Sequence, residues 1–380
     1  MIRKLYFDVR DMPFAARSGL SARKLWIYWK ALVTSWLVWS ISIYLGYFAA
    51  GADLAARWGH SRLLPLPGGI FWESWASILL MIAGLLLVLY IMLKASLMVA
   101  RITFEQLRGD DFYSGRDASR FCRKNCGPLT LTPLALLSGV IIATLCGLLF
   151  GLAGRIPAAG PVVVGLLSVP AWGLALLVVL LAVGFILSFL LVPPIVASTR
   201  GDTFESLFEL FSSFTSQPWR IFLYWITGLF CRFIGLLVLI FFTTAAISFL
   251  SFCVSTGMGV PGLGATLSSG LQMVAPEAVP FFANVFNPLS STAPGESWTG
   301  LAGLLAGLSG VSILLVLKSY WLSSGTSLWT LIYLAVRYRK DGEDLLKRAD
   351  EEEQREFEKL YGSASAGSRS SDSPSSDAQN

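Results

Sequence analysis

The chain carries repeated apolar runs of about 20 residues, the length an α-helix needs to cross the hydrocarbon core of a bilayer. Such runs fall at 31–50, 76–100, 134–153 and 172–196, and longer ones lie within 219–253 and 300–336. A backbone in lipid must satisfy its own N–H and C=O groups, and a helix does so internally. The sequence therefore predicts an all-α, polytopic transmembrane helix bundle of about six spans. Composition agrees, because 54% of the 380 residues are hydrophobic and 14% are charged, against about 25% charged in soluble domains. The 13 Trp and 25 Phe suit a bilayer and its interfaces. The first run is full length and follows a mostly polar segment, so it reads as a retained span and not as a cleaved signal. The two longest runs exceed one upright span, so part of each is expected to tilt, kink or lie in the interface. Pro193 and Pro194 are expected to close the fourth span.

Charge gives the orientation. Of the 29 Lys and Arg, only Arg57, Arg62 and Arg155 fall in the loops after spans one and three, whereas the N-terminal segment, the loops after spans two and four and the tail hold 23. The positive-inside rule then puts both termini in the cytoplasm, in a plasma (inner) membrane. The chain divides into a cytoplasmic segment 1–30 and a transmembrane domain 31–336, followed by a charged cytoplasmic helix 337–361 and a disordered Ser-rich tail 362–380. Its outer loops are 51–75, 154–171 and 254–298, and its inner loops 101–130 and 197–219. The longest outer loop reads as a cap, with Glu277 outside.

Helical periodicity also marks an inner interfacial helix at 203–214. Phe204, Leu207, Phe208, Phe211 and Phe214 share one stripe. Asp202 and Glu205 form a capping-box pattern. The stripe is expected against the bilayer or the bundle, with Glu205 and Glu209 on the exposed polar face. The exits of spans two, four and six look alike: Val99-Ala100-Arg101 before Gly109-Asp110, Val196-Ala197 before Arg200-Gly201-Asp202, and Ala335-Val336-Arg337 before Asp341-Gly342. This suggests an inner helix plus a transmembrane hairpin used three times, although positive-inside bias alone also makes exits alike.

The stretch VASTRGDTFESLFELFSSFTSQPW at 196–219 and the segment 332–345 resemble parts of uncharacterised bacterial multi-pass membrane proteins. They are loosely similar to the membrane domain that accompanies some glycerophosphodiester phosphodiesterases. The resemblance covers about a tenth of the chain and implies a membrane fold. It transfers no activity, because the catalytic domain is absent.

Chemistry-bearing patterns are few. Cys122 and Cys126 could share a helix face, but a metal would need two more ligands and the one His, His60, is distant. Gly307-Leu308-Ser309-Gly310 superficially matches an intramembrane serine protease motif, but lacks a nearby base. None of the six runs contains Asp or Glu, which argues against aspartyl chemistry and against carboxylate ion relays. No catalytic residue, metal site or cofactor is predicted. Gly300, Gly303, Gly307 and Gly310 fall on one helix face, suited to close helix packing, to self-association or to a pore lining. Gly147 and Gly151 are a weaker version. Lys94, Arg232 and Lys318 are the charges within apolar runs, read as anion or headgroup contacts or as snorkelling side chains. The leading expectation is a non-enzymatic scaffold or accessory subunit whose partners are the lipid bilayer and a protein at the cytoplasmic loops and tail, with no nucleic acid. The second is a permease or lipid-handling protein.

Overall fold

The computed structural model describes residues 5–61, 65–157, 160–258, 301–342 and 344–347. Most of the loop 254–298, Glu277, Gly300 and the tail beyond 347 lie outside the described residues. Among the described residues the fold is all-α. Helix α1 is Pro13–Gly19, α2 Ala22–Ala49, α3 Leu54–Ser61, α4 Trp75–Arg108, α5 Gly115–Lys124 and α6 Gly127–Ala153. Helix α7 is Gly160–Leu166, α8 Ser168–Thr199, α9 Thr203–Ser216, α10 Pro218–Met258 and α11 Leu301–Asp341. Five of these, α2, α4, α6, α8 and α10, are long and apolar enough to cross a membrane. The sixth expected span falls within α11.

The long helices pair as antiparallel hairpins: α2 with α4, α6 with α8, and α10 with α11. The second member of each pair, α4, α8 and α11, also touches the other two, so these three form a central triad. Short helices complete the pattern. Helix α5 packs mainly on α4 and α2, α9 on α8 and α6, and α1 on α11 and α10. Each short helix thus docks on the hairpin before it in cyclic order, with the first closing onto the last. The exits of the triad helices also match. Their caps, Gly109 (φ 97°), Arg200 (φ 56°) and Gly342 (φ 69°), all take the left-handed conformation. Arg101 pairs with Glu105 and Arg337 with Asp341, both four residues on. Similar exit residues therefore occupy similar geometry, which is what a threefold unit requires.

Several expectations are corrected. Helix α8 runs through Pro193 and Pro194 to Thr199, so the prolines do not close it. Both are buried in the packed core, and Ser198 Oγ donates to Pro194 O at 2.9 Å. Prolines are tolerated in spanning helices where neighbours re-satisfy the freed backbone groups. The long apolar runs lie in helices α10 and α11 of 41 residues each, about 61 Å at 1.5 Å per residue, so each exceeds one upright span as expected. Helix α11 continues past 336 to Asp341, into the segment expected to be helical. Every residue from 323 to 336 is buried.

The orientation of α9 is the largest correction. Glu205 is exposed as expected, but Glu209 is buried together with Ser206, Leu210 and Ser213. Phe204 and Phe208 face outward, 82% and 65% exposed. Asp202 is the N-cap residue, but its side chain makes no capping hydrogen bond. Arg337 explains the rotation, because its guanidinium needs a carboxylate inside the bundle, and Glu209 is placed to supply one. Phenylalanine loses nothing by facing lipid.

Candidate functional site

The core of this bundle is polar where its ends meet. Helix α11 places Ser319, Ser323, Ser324, Thr326, Ser327 and Thr330 in buried positions. Small hydroxyl residues let helices approach closely, and several bond back to their own helix, as Ser319 Oγ does to Leu315 O at 2.6 Å and Thr330 Oγ1 to Thr326 O at 2.9 Å. Ser327 and Ser324 bond two buried cations, Lys24 and Arg232.

Lys24 is fully buried at the start of α2. Its Nζ donates to Ser18 Oγ, to Thr103 Oγ1 at 2.9 Å and to Ser327 Oγ at 3.3 Å. Thr103 and Ser327 also bond each other at 3.1 Å, and Ser18 Oγ donates to Gln106 Oε1 at 3.3 Å. One ammonium thus joins the α1–α2 corner, α4 and α11. One turn of α11 away, Arg232 Nε donates to Ser324 Oγ at 3.1 Å and Nη2 to Trp321 O at 2.6 Å. Its guanidinium lies over the Trp321 ring, 4.2 Å from the centroid. Among the described residues, no carboxylate pairs with Lys24 or Arg232. Tyr28 extends the network to Ser96 at 2.9 Å and to Thr326. The hydroxyls of Tyr320 and Ser323 are buried without a hydrogen-bond partner among the described residues.

Two ionic clusters flank this core, at the exits of α4 and α11. Glu105 is buried between Arg101 and Arg108, the latter at 2.9 Å, and Arg101 Nη1 donates to Ala197 O at 2.7 Å. Glu209 takes Arg337 and the Tyr333 hydroxyl, the latter at 3.4 Å, while Arg337 Nε reaches Asp341 at 2.8 Å. These cations have carboxylates, whereas Lys24 is held by hydroxyls and Arg232 by a hydroxyl, a carbonyl and the Trp321 ring.

The three cations singled out from sequence do not converge. Arg232 is buried, Lys318 is exposed, and Lys94 is half-buried with its ammonium 4.2 Å from the Tyr90 ring centroid. Gly307 and Gly310 are buried in α11, in keeping with helix packing there, and Gly303 lies in the same helix. Gly147 and Gly151 instead face open space, so that part of α6 is not a packing face. Ser309 is exposed and donates to Leu305 O at 2.9 Å. Cys122 and Cys126 are free thiols. Burial pushes the Cys122 thiol up to about 11, so it is protonated at neutral pH and a poor metal ligand. Among the described residues, no three His, Cys, Asp or Glu side chains gather as a metal site. Sequence reasoning missed Lys24, which counted only as a loop cation. The available signal was the run Ser323-Ser324-Gly325-Thr326-Ser327 in the last span.

Lys24 makes a sharp test. A buried ammonium without a counter-charge opposes folding unless its hydrogen bonds offset the lost hydration. Lys24→Met keeps the stem and removes the charge. It is expected to raise thermal stability in detergent, because the cost of burying the charge is removed. A lowered unfolding midpoint would mean that the three hydroxyl bonds hold the bundle together.

Fold and site together define a membrane protein: an all-α helix bundle around a buried, cationic, hydroxyl-lined core. No family model, curated protein or solved structure matches the chain.

Proposed function

We propose that this chain is a non-enzymatic membrane scaffold or accessory subunit of six spans, in a plasma (inner) membrane, with both termini in the cytoplasm. One observation carries this reading. The short helices α1 and α9 pack on α11, whose stretch 323–336 is buried, and α5 packs on α4 and α2, so each short helix covers a hairpin at the cation-rich end of the bundle. A rigid surface of that kind suits docking, because little ordering entropy is lost when a partner binds. The grooves at Phe242, Ala246 and Ile313 and at Leu136, Leu181 and Phe208 are apolar and peripheral, in keeping with lipid contact. The partner is a protein held at the cytoplasmic loops and tail. The resemblance to membrane domains that accompany a separate catalytic domain agrees with an accessory role.

A second reading is a permease or lipid-handling protein, favoured by the buried cations Lys24 and Arg232 that lack carboxylates. Affinity capture of the full chain in mild detergent separates the two. On the scaffold reading a partner co-purifies in fixed ratio. Glu205→Lys, on the exposed face of α9, weakens its recovery without loss of folding, since exposed charges contribute little to stability and steer association. Unchanged recovery with Glu205→Lys, beside loss of solute or lipid flux with Arg232→Gln, would overturn the ranking.

A further inference from the structure

We infer that the outward face of α5 is a docking surface for anionic phospholipid headgroups. Arg116, Arg120, Arg123 and Lys124 are all exposed. Their spacing of i, i+4, i+7 and i+8 puts them on one face of the helix. The opposite face, Ala118 and Cys122, is buried against α2 and α4. Asp117, the one carboxylate on α5, is engaged at the helix start, where Ser114 Oγ bonds it at 2.6 Å. The exposed face therefore keeps an excess of positive charge.

The position of α5 identifies the occupant. It joins α4 to α6 through residues 109–114 and 125–126, so it cannot leave the bundle end. It also folds back along α4, because Cys122 Sγ donates to Lys94 O at 3.8 Å, within the apolar run of that helix. The last turn, with Arg123 and Lys124, lies beside the start of α6 at Gly127. A cationic stripe held at this level meets the headgroup layer, and clustered Lys and Arg there select anionic lipid. Helix α9 differs: its exposed side carries Glu205 and no cation, so lipid selection falls to α5. The inference rests on the topology proposed above and is independent of the scaffold role.

The test is a thermal-shift titration of the purified full chain in neutral detergent. The probes are short-chain phosphatidylglycerol, short-chain phosphatidylcholine and inorganic phosphate. Phosphatidylglycerol is expected to raise the unfolding midpoint saturably, and the other two are not. Neutralising Arg116, Arg120, Arg123 and Lys124 to Gln should weaken the apparent affinity by about tenfold or more. The pairs R116Q/R120Q and R123Q/K124Q should each give an intermediate loss, which keeps the test valid if the fourfold variant folds poorly. A charge-matched control neutralises Arg348, Arg355, Lys359 and Arg369 of the tail and should keep the wild-type response. Equal shifts with phosphatidylcholine or phosphate would overturn the inference. So would a full response in both pair variants, or an equal loss in the tail control. Partner capture unaffected by the α5 variants leaves the scaffold reading standing, so the two fail separately.

Discussion

Arg337→Ala is expected to destabilise the bundle by about 3–5 kcal/mol, because it leaves a buried carboxylate without its cation. Glu209 is 5% exposed, and its other described partner is the neutral Tyr333 hydroxyl at 3.4 Å. The unfolding midpoint in detergent reads this directly. Replacing both partners, as Arg337→Met with Glu209→Leu, should recover most of the loss, since a buried pair exchanged for apolar groups of similar volume is often neutral or stabilising. A double variant as unstable as the single one would show that Arg337 acts through Asp341 and the chain end, not through α9. The same experiment checks the orientation of α9, because an exposed Glu209 would make either single substitution nearly silent.

Gly19→Leu is expected to have an effect of similar size. A Cβ on Gly19 would sit 2.6 Å from Ser324 Cβ, 2.8 Å from its Cα and 2.9 Å from its backbone N. The obstacle is backbone of the central helix, so no rotamer change relieves it. Overpacking of this kind costs about 1–3 kcal/mol for added methylenes, occasionally more, and leucine adds several carbons. Helix α1 should be forced off α11, carrying Ser18 away from Lys24. Faster proteolysis within the first twenty residues and a lowered midpoint would report it. Gly147→Leu is the control, because Gly147 faces open space and its substitution should change neither. An unaffected Gly19→Leu variant would mean that α1 is not clamped against Ser324.

Much of the fold was legible in the residues, and the reasons are physical. Apolar length marked the spans, because lipid sets a minimum helix length. The inner helix expected at 203–214 is α9, Thr203–Ser216, since a 3.6-residue stripe is hard to mistake for anything else. The likeness of the three exits anticipated three alike helix caps. What failed was the placement of Glu209. In water, an apolar stripe points to the core. In a membrane, Phe204 and Phe208 are as well placed against lipid as against protein, so the period identifies the helix without identifying its buried face. Glu209 was therefore put on the wrong side. Lys24 was missed for a related reason. Its site needs Ser18, Thr103 and Ser327, which are separated by most of the chain, and no local pattern joins them. Pro193 and Pro194 misled because the helix-breaking rule is drawn from water, where nothing obliges the next turn to form.

Ring closure by α1 has a consequence for biosynthesis. The residues that α1 covers, on α10 and α11, are translated after the first two hairpins. The first helix made is thus among the last to find its place, and Lys24 waits without Ser327 while the three hairpins enter the membrane in turn. During that interval Pro13–Gly19 lacks the α10 and α11 surface on which it packs. Its docking requires the final hairpin. A product truncated before the final hairpin would leave Pro13–Gly19 without its seat, giving quality control a local signal of an unfinished protein. Contacts of such long sequence separation are also slow to form, so the lifetime of that exposed state is set by the last hairpin, not by the first.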